Sequence, residues 1–153
     1  MTIIAQTLID PYPKELSQHR LSGRIMDVLS KQISDPNLKV AINALKILHT
    51  VPPRIPELIE HNLSVLINEV FNCFGSHKYE IKQLSEDLFD VIANHIEKWM
   101  LIQHMCNGAL YGLQKSRPSI LNRLKDIIPE VYSRGNKKTI FTKNVYPMLN
   151  KLI

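Results

Sequence analysis

Apolar residues along this chain recur at helical spacing, and few segments alternate with the period of a strand. Leu16, Leu21, Ile25, Val28, Leu29 and Ile33 define the inward face of a first helix, from about Pro13 to Ile33. Val40, Ala41, Ala44, Leu45 and Leu48 define a second, ending near Thr50. A third, from about Glu57 to Phe74, carries Leu58, Ile59, Leu63, Leu66, Ile67, Val70, Phe71 and Phe74. A fourth, from about Lys78 to Ile96, turns Ile81, Leu84, Leu88, Val91 and Ile92 inward. A fifth ends near Leu113, a sixth starts within Ser116-Arg117-Pro118-Ser119, and a seventh occupies 140–153 with Val145, Met148, Leu149, Leu152 and Ile153 to bury.

The breaks between these helices have chemical causes. Two prolines in Asp10-Pro11-Tyr12-Pro13 push their predecessors out of the helical region and make 1–13 a lead-in. Ser34-Asp35-Pro36-Asn37 stops the first helix, and either Asn37, or Asp35 with Pro36 at the first helical position, caps the next. The prolines of 51–56 make that stretch a link between repeats. Gly75 suits the left-handed position after a helix, as does Gly135, which is followed by a further link at 136–139. The break near Glu97–Trp99 has no Gly or Pro and follows from the repeat register alone. Gly108, Ala109 and Gly112 allow a close helix approach. Pro129 predicts a kink in the sixth helix, and Pro147 a kink or a later start in the seventh.

Aligning Ile33, Phe74 and Leu113 brings three copies of one outline into register. Each has an apolar residue closing a helix, a polar turn, and an aliphatic residue seven positions on (Val40, Ile81, Ile120). The buried face continues through Ala44, Ser85 and Leu124, then Leu48, Phe89 and Ile128. The period is about 40 residues, the length of a two-helix HEAT-type unit. The expected fold is an all-α, HEAT/armadillo-like α-solenoid in a single domain, 14–153. It has repeats at about 14–50, 57–96 and 98–134, and a partial repeat at 140–153. The seventh helix resembles the first member of a pair without its second. Residues 140–153 are therefore expected to leave apolar surface for a second copy, a partner protein or more of a longer solenoid.

Composition narrows the function. At 153 residues with 44% apolar and 22% charged, the chain is ordinary globular material. No apolar run is long enough for a membrane span and no secretory leader is visible, so a cytosolic location is expected. Cys73 and Cys106 sit among apolar neighbours and read as buried free thiols. Charge is asymmetric: residues 114–153 hold nine Lys and Arg against two acids, and residues 1–113 ten against twelve. That asymmetry points to an anionic partner. Nucleic acid is not favoured, because Tyr132, Phe141 and Tyr146 fit core positions as well as stacking positions.

Catalytic and metal-binding patterns are not found. The six histidines include no i, i+4 pair, and there is no CxxC, HExxH, phosphate loop or GxSxG elbow. Glu86, Asp87 and Asp90 read as a solvated acidic face, Met100, Met105 and Met148 as core filler, and Trp99 as a buried anchor. The expectation is a non-enzymatic binding module with no cofactor.

The turns S-D-P-N-L-K-V (34–40) and F-G-S-H-K-Y-E-I (74–81) resemble the intra-repeat turns of TOG domains, the HEAT-repeat modules of microtubule polymerases, the CLASP group and the crescerins. Asp35, Asn37, Lys39 and Val40 match one family turn, D-x-N-x-K-V. Gly75, Lys78, Ile81 and Lys82 match the next, with Ser76 and His77 where Asp and a small polar residue are usual. The resemblance covers about residues 20–134. It implies a paddle whose intra-repeat turns line one edge and bind tubulin. Carried over by position, Asn37 and Lys39, then Ser76, His77 and Lys78, then Lys115, Ser116 and Arg117 would face the partner. A general HEAT scaffold docking another acidic protein is the alternative. The opposite edge carries Arg54, Lys98, Arg134, Lys137 and Lys138 against Glu57 and Glu97, so charge in the sequence does not choose between the edges.

Overall fold

The computed structural model describes residues 20–133 and 138–152, with side chains from Ser22 onward in the first of these segments. The expected lead-in, the first-helix residue Leu16, Arg134, Gly135, the link residues 136–137 and Ile153 lie outside the described residues. Six helices, α1 (Arg20–Gln32), α2 (Leu38–His49), α3 (Pro56–Phe74), α4 (Tyr79–His95), α5 (Lys98–Tyr111) and α6 (Arg117–Ser133), form three consecutive hairpins. A last helical stretch follows in three parts: α7 (Lys138–Ile140), a π-helical segment (Phe141–Val145) and α8 (Tyr146–Leu152). The helices stack in two layers. In one, α1 packs on α3, α3 on α5, and α5 on the π-helical segment and α8. In the other, α2 packs on α4, while α4 meets α6 mainly through long side chains. This is the expected all-α, HEAT-like stack.

Local chemistry sets the helix ends. The Asn37 side chain accepts from the Lys39 amide at 3.1 Å and caps α2, while Asp35 accepts from the Asn37 amide at 2.7 Å. Pro56 opens α3 at its first turn, where a missing N–H costs nothing. The break before α5 needs no Gly or Pro: Ile96 and Glu97 turn extended (ψ 163° and 115°), and Ile96 is buried. Gly75 closes α3 at φ −86°, not in the left-handed region expected of it. Its requirement is for space. A Cβ there would lie 2.9 Å from Ser116 Oγ and 3.3 Å from Lys115 Cβ.

The core lies between the layers and runs from Met26 to Met148. All eight apolar positions expected inward on α3 are buried. Elsewhere the burial pattern departs locally from expectation. Val28 is 48% exposed, and Met26 and Ser30 take the inward places of α1 beside Leu29 and Ile33. Ile81 and Ile120 are buried as expected, but Val40 is half-buried and Ala41 occupies the buried place. Leu84, Val91 and Ile128 are likewise half-buried. Leu113 does not close a helix. Helix α5 stops at Tyr111, Gly112 turns extended (ψ −175°), and Leu113 emerges 53% exposed. The shifts within helices have one cause: an amphipathic stripe read from sequence is about 100° wide, and residues at its margins fall on either side of the line that neighbouring helices draw.

Cross-repeat contacts are specific. Between the second and third hairpins the core is aromatic, with Phe71, Phe74 and Phe89 centroids 5.5–6.0 Å apart. Gly108 makes room for it: a Cβ there would sit 2.7 Å from Phe71 Cδ2 and 3.2 Å from Ile120 Cδ1. Arg123 of α6 lies over the Phe74 and Phe89 rings at 5.1 and 5.7 Å and donates to both Asp90 oxygens at 3.0 and 3.1 Å. Ser119 donates to Glu86 at 3.0 Å. The acidic residues of α4 expected to be a solvated face thus supply two carboxylates to the third repeat.

Helix α6 runs unbroken past Pro129, whose ring faces solvent. Pro147 acts upstream of itself. It has no N–H to give the preceding turn, and the five residues 141–145 widen to π geometry. Side chains take up carbonyls in this stretch: Thr142 donates to Lys138 and Asn144 to Ile140. Lys138 and Thr139, expected in a link, are already helical. Phe141, Val145 and Met148 are buried in a stretch that packs on α5, whereas Tyr146 and Leu149, the latter expected inward, are exposed.

Candidate protein-binding edge

The three intra-repeat turns come together on one edge, and side chains lace them. Lys78 of the second turn donates to the Pro36 carbonyl of the first at 3.4 Å. Lys115 of the third turn donates to His77 Nε2 of the second at 2.7 Å. The close approach of Gly75 to Ser116 holds the second and third turns together. The spacing of the turns is therefore built in, and a partner would meet a preformed row.

The eight candidate residues divide by exposure. Lys39, His77, Lys78 and Lys115 are exposed and place their polar ends on the edge. Asn37 is exposed, but its side chain is committed to capping α2. Ser76 is half-buried and accepts from the Lys78 amide at 3.2 Å, so it shapes its turn. Ser116 is fully buried under Gly75, with no hydrogen-bond partner for its hydroxyl, and cannot touch a partner. Arg117 is half-buried, with its Nε enclosed. The turn motif marks all eight positions alike. The packing of one turn on the next decides which point outward.

Charge in the sequence does not reveal the apolar members of the edge. Leu38 and Tyr79, each the first residue of the second helix in its hairpin, are exposed, as are Tyr111 and Leu113 beside the third turn. The signal available for them was their position next to the turns.

Charge does not choose between the edges: Arg54 and Lys138 of the inter-repeat side are exposed, and Arg134 and Lys137 lie outside the described residues. On the inter-repeat side, Lys98 is ion-paired with Glu130. These two, with Glu60, His95 and Glu97, line an open groove of about 410 Å³ between the links. The described part of that groove is acidic. The intra-repeat edge carries Lys39, Lys78, Lys115 and part of Arg117 against Asp35 and Glu80.

Fold and edge together define a class, an all-α stack of helical hairpins presenting a preformed basic row of turns. Among known proteins, the chain is similar to TOG array regulator of axonemal microtubules protein 1. It is 27% identical to the mouse (Mus musculus) protein over 116 residues and 24% identical to the human (Homo sapiens) protein over 112 residues. Each alignment covers 72% of this chain, which spans 6% of the length of these curated relatives. No protein-family model matches the chain, and no solved structure matches it.

Proposed function

We propose that this chain is a non-enzymatic binding module that docks on tubulin, within a microtubule-associated assembly, through its intra-repeat turns. The observation that carries the reading is the lacing of three turns into one basic row by Lys78 and Lys115. Tubulin presents an acidic surface, and a fixed row of cations is suited to steering and orienting on such a surface in a salt-dependent way. The similarity to regulators of axonemal microtubules supports the same partner class and a cytoskeletal or ciliary location. A general scaffold for another acidic protein is what remains if tubulin is not bound.

The test is co-elution with unpolymerised tubulin at low and high salt. Lys39→Glu with Lys115→Glu reverses two exposed charges on the turn edge and is expected to weaken binding by roughly tenfold or more at low salt. Arg54→Glu with Lys138→Glu, on the opposite side, is expected to do little. Loss of binding in the second pair and not the first would refute the assignment of the edge. Absence of wild-type binding would refute tubulin as the partner.

A further inference from the structure

Four of the nine large apolar side chains exposed among the described residues border the turn edge. Leu38, Tyr79, Tyr111 and Leu113 all lie there, and the two tyrosines are 78% and 71% exposed. Both are restrained despite that exposure. The Tyr79 hydroxyl donates to Gln83 Oε1 at 3.4 Å, and Gln83 in turn donates to Asp87 at 3.0 Å. The Tyr111 hydroxyl accepts from Lys151 Nζ at 2.7 Å, and the same ammonium stands 5.2 Å from the ring centroid. Lys151 belongs to α8, so the terminal helix, 40 residues further along the chain, reaches this end of the edge. It adds one more cation to the row.

Two features make these rings more than incidental surface. Tyrosine is among the residues that dominate binding energy at protein interfaces, where a few packed anchors sit inside a polar rim. A ring already held in one orientation loses little freedom on docking, so more of its burial appears as affinity. We infer that Tyr79 and Tyr111, with Leu38 and Leu113, are apolar anchors of the docking surface, and that Lys39, Lys78, Lys115 and Lys151 form its steering rim. The partner is then a folded acidic surface that also offers apolar pockets, not a flexible acidic tail held by charge alone. This inference rests on the proposed function and assigns residues that the turn motif does not contain.

Binding of the full chain to unpolymerised tubulin is measured at low and high salt for wild type, Tyr79→Ala, Tyr111→Ala, Tyr111→Phe and Lys151→Met. Each alanine variant is expected to weaken binding about tenfold at both salts, whereas the Lys39→Glu with Lys115→Glu variant loses most at low salt. Tyr111→Phe keeps the ring and gives up the hydroxyl contact, so a loss of about two- to threefold is expected. Lys151→Met and thermal melting separate loosening of α8 from loss of the ring. A Tyr111→Ala defect reproduced in full by Lys151→Met at high salt, where the rim cation counts least, together with an equal fall in melting temperature, would assign the effect to α8 and overturn the anchor role of Tyr111. Wild-type binding with both alanine variants unchanged overturns the anchors while leaving the tubulin reading intact. No wild-type binding at either salt overturns both.

Discussion

Gly108→Ala sets two opposed effects against each other at one atom. Gly108 lies within α5, where replacing glycine by alanine should stabilise the helix by about 0.5–1 kcal/mol through backbone entropy. The new Cβ, however, would lie 2.7 Å from Phe71 Cδ2, 3.1 Å from Cε2 and 3.2 Å from Ile120 Cδ1. Phe71 cannot simply swing away, because it packs on Phe74 at 5.5 Å and Phe89 at 5.7 Å, and all three rings are buried. Overpacking of this kind costs about 1–3 kcal/mol, so the clash is expected to win by about 1–2 kcal/mol. In a chain of this size that is a fall of roughly 2–8 °C in Tm. Urea and thermal unfolding of Gly108→Ala, Phe71→Leu and the double variant form a cycle. The smaller leucine side chain of Phe71→Leu should relieve the clash, giving a coupling of about 0.5 kcal/mol or more in the rescuing direction. A stabilised single variant, or strict additivity, would refute the claim that α5 is held close to α3 by the absence of a side chain at 108.

Arg123 is expected to act more through packing than through charge. Its side chain is 17% exposed and covers two phenylalanine rings, while its best ion-pair partner, Asp90, is largely exposed. Arg123→Ala should cost about 2–3 kcal/mol and Arg123→Met about half that, because the methionine keeps the stem on the rings. Equal losses in urea melts would return the credit to the ion pairs. Burial pushes the Cys73 and Cys106 thiols up to about 11 from an ordinary 9.0; at Cys73 the hydrogen bond with Ser34 opposes this and the Glu69 carboxylate adds to it. The unfolded chain therefore ionises first, and the stabilisation from keeping these thiols neutral is complete below about pH 9 and lost as pH rises through about 11. The midpoint in urea should fall over that window more steeply in wild type than in Cys73→Ala with Cys106→Ala. A thiol reagent should label the folded wild-type protein slowly and the unfolded protein quickly.

The repeat and its punctuation are legible in the chain alone. Helical periodicity, Asp-Pro-Asn at 35–37 and the prolines of 51–56 are local signals, and local hydrogen-bonding and steric rules act on them before any tertiary contact forms. The break at 96–97, which has no breaker residue, was legible because two other copies of the unit gave its register. Turn positions along one edge followed from the same repetition.

Which residue in each turn is available depends on how the hairpins stack. Lys78 and Lys115 are exposed and bridge turns, whereas Ser116, indistinguishable in the motif, is buried because Gly75 lets the neighbouring turn close over it. Arg123 and the carboxylates of α4 look like separate charged faces until stacking brings residues 33 apart within hydrogen-bond distance. Tyr111 gains a lysine from 40 residues downstream in the same way. Burial at the margin of a helical stripe, and pairing between residues a full repeat apart, depend on how one hairpin sits against the next. That relation is set by side-chain volume summed across the interface, which a pattern of apolar and polar positions does not encode.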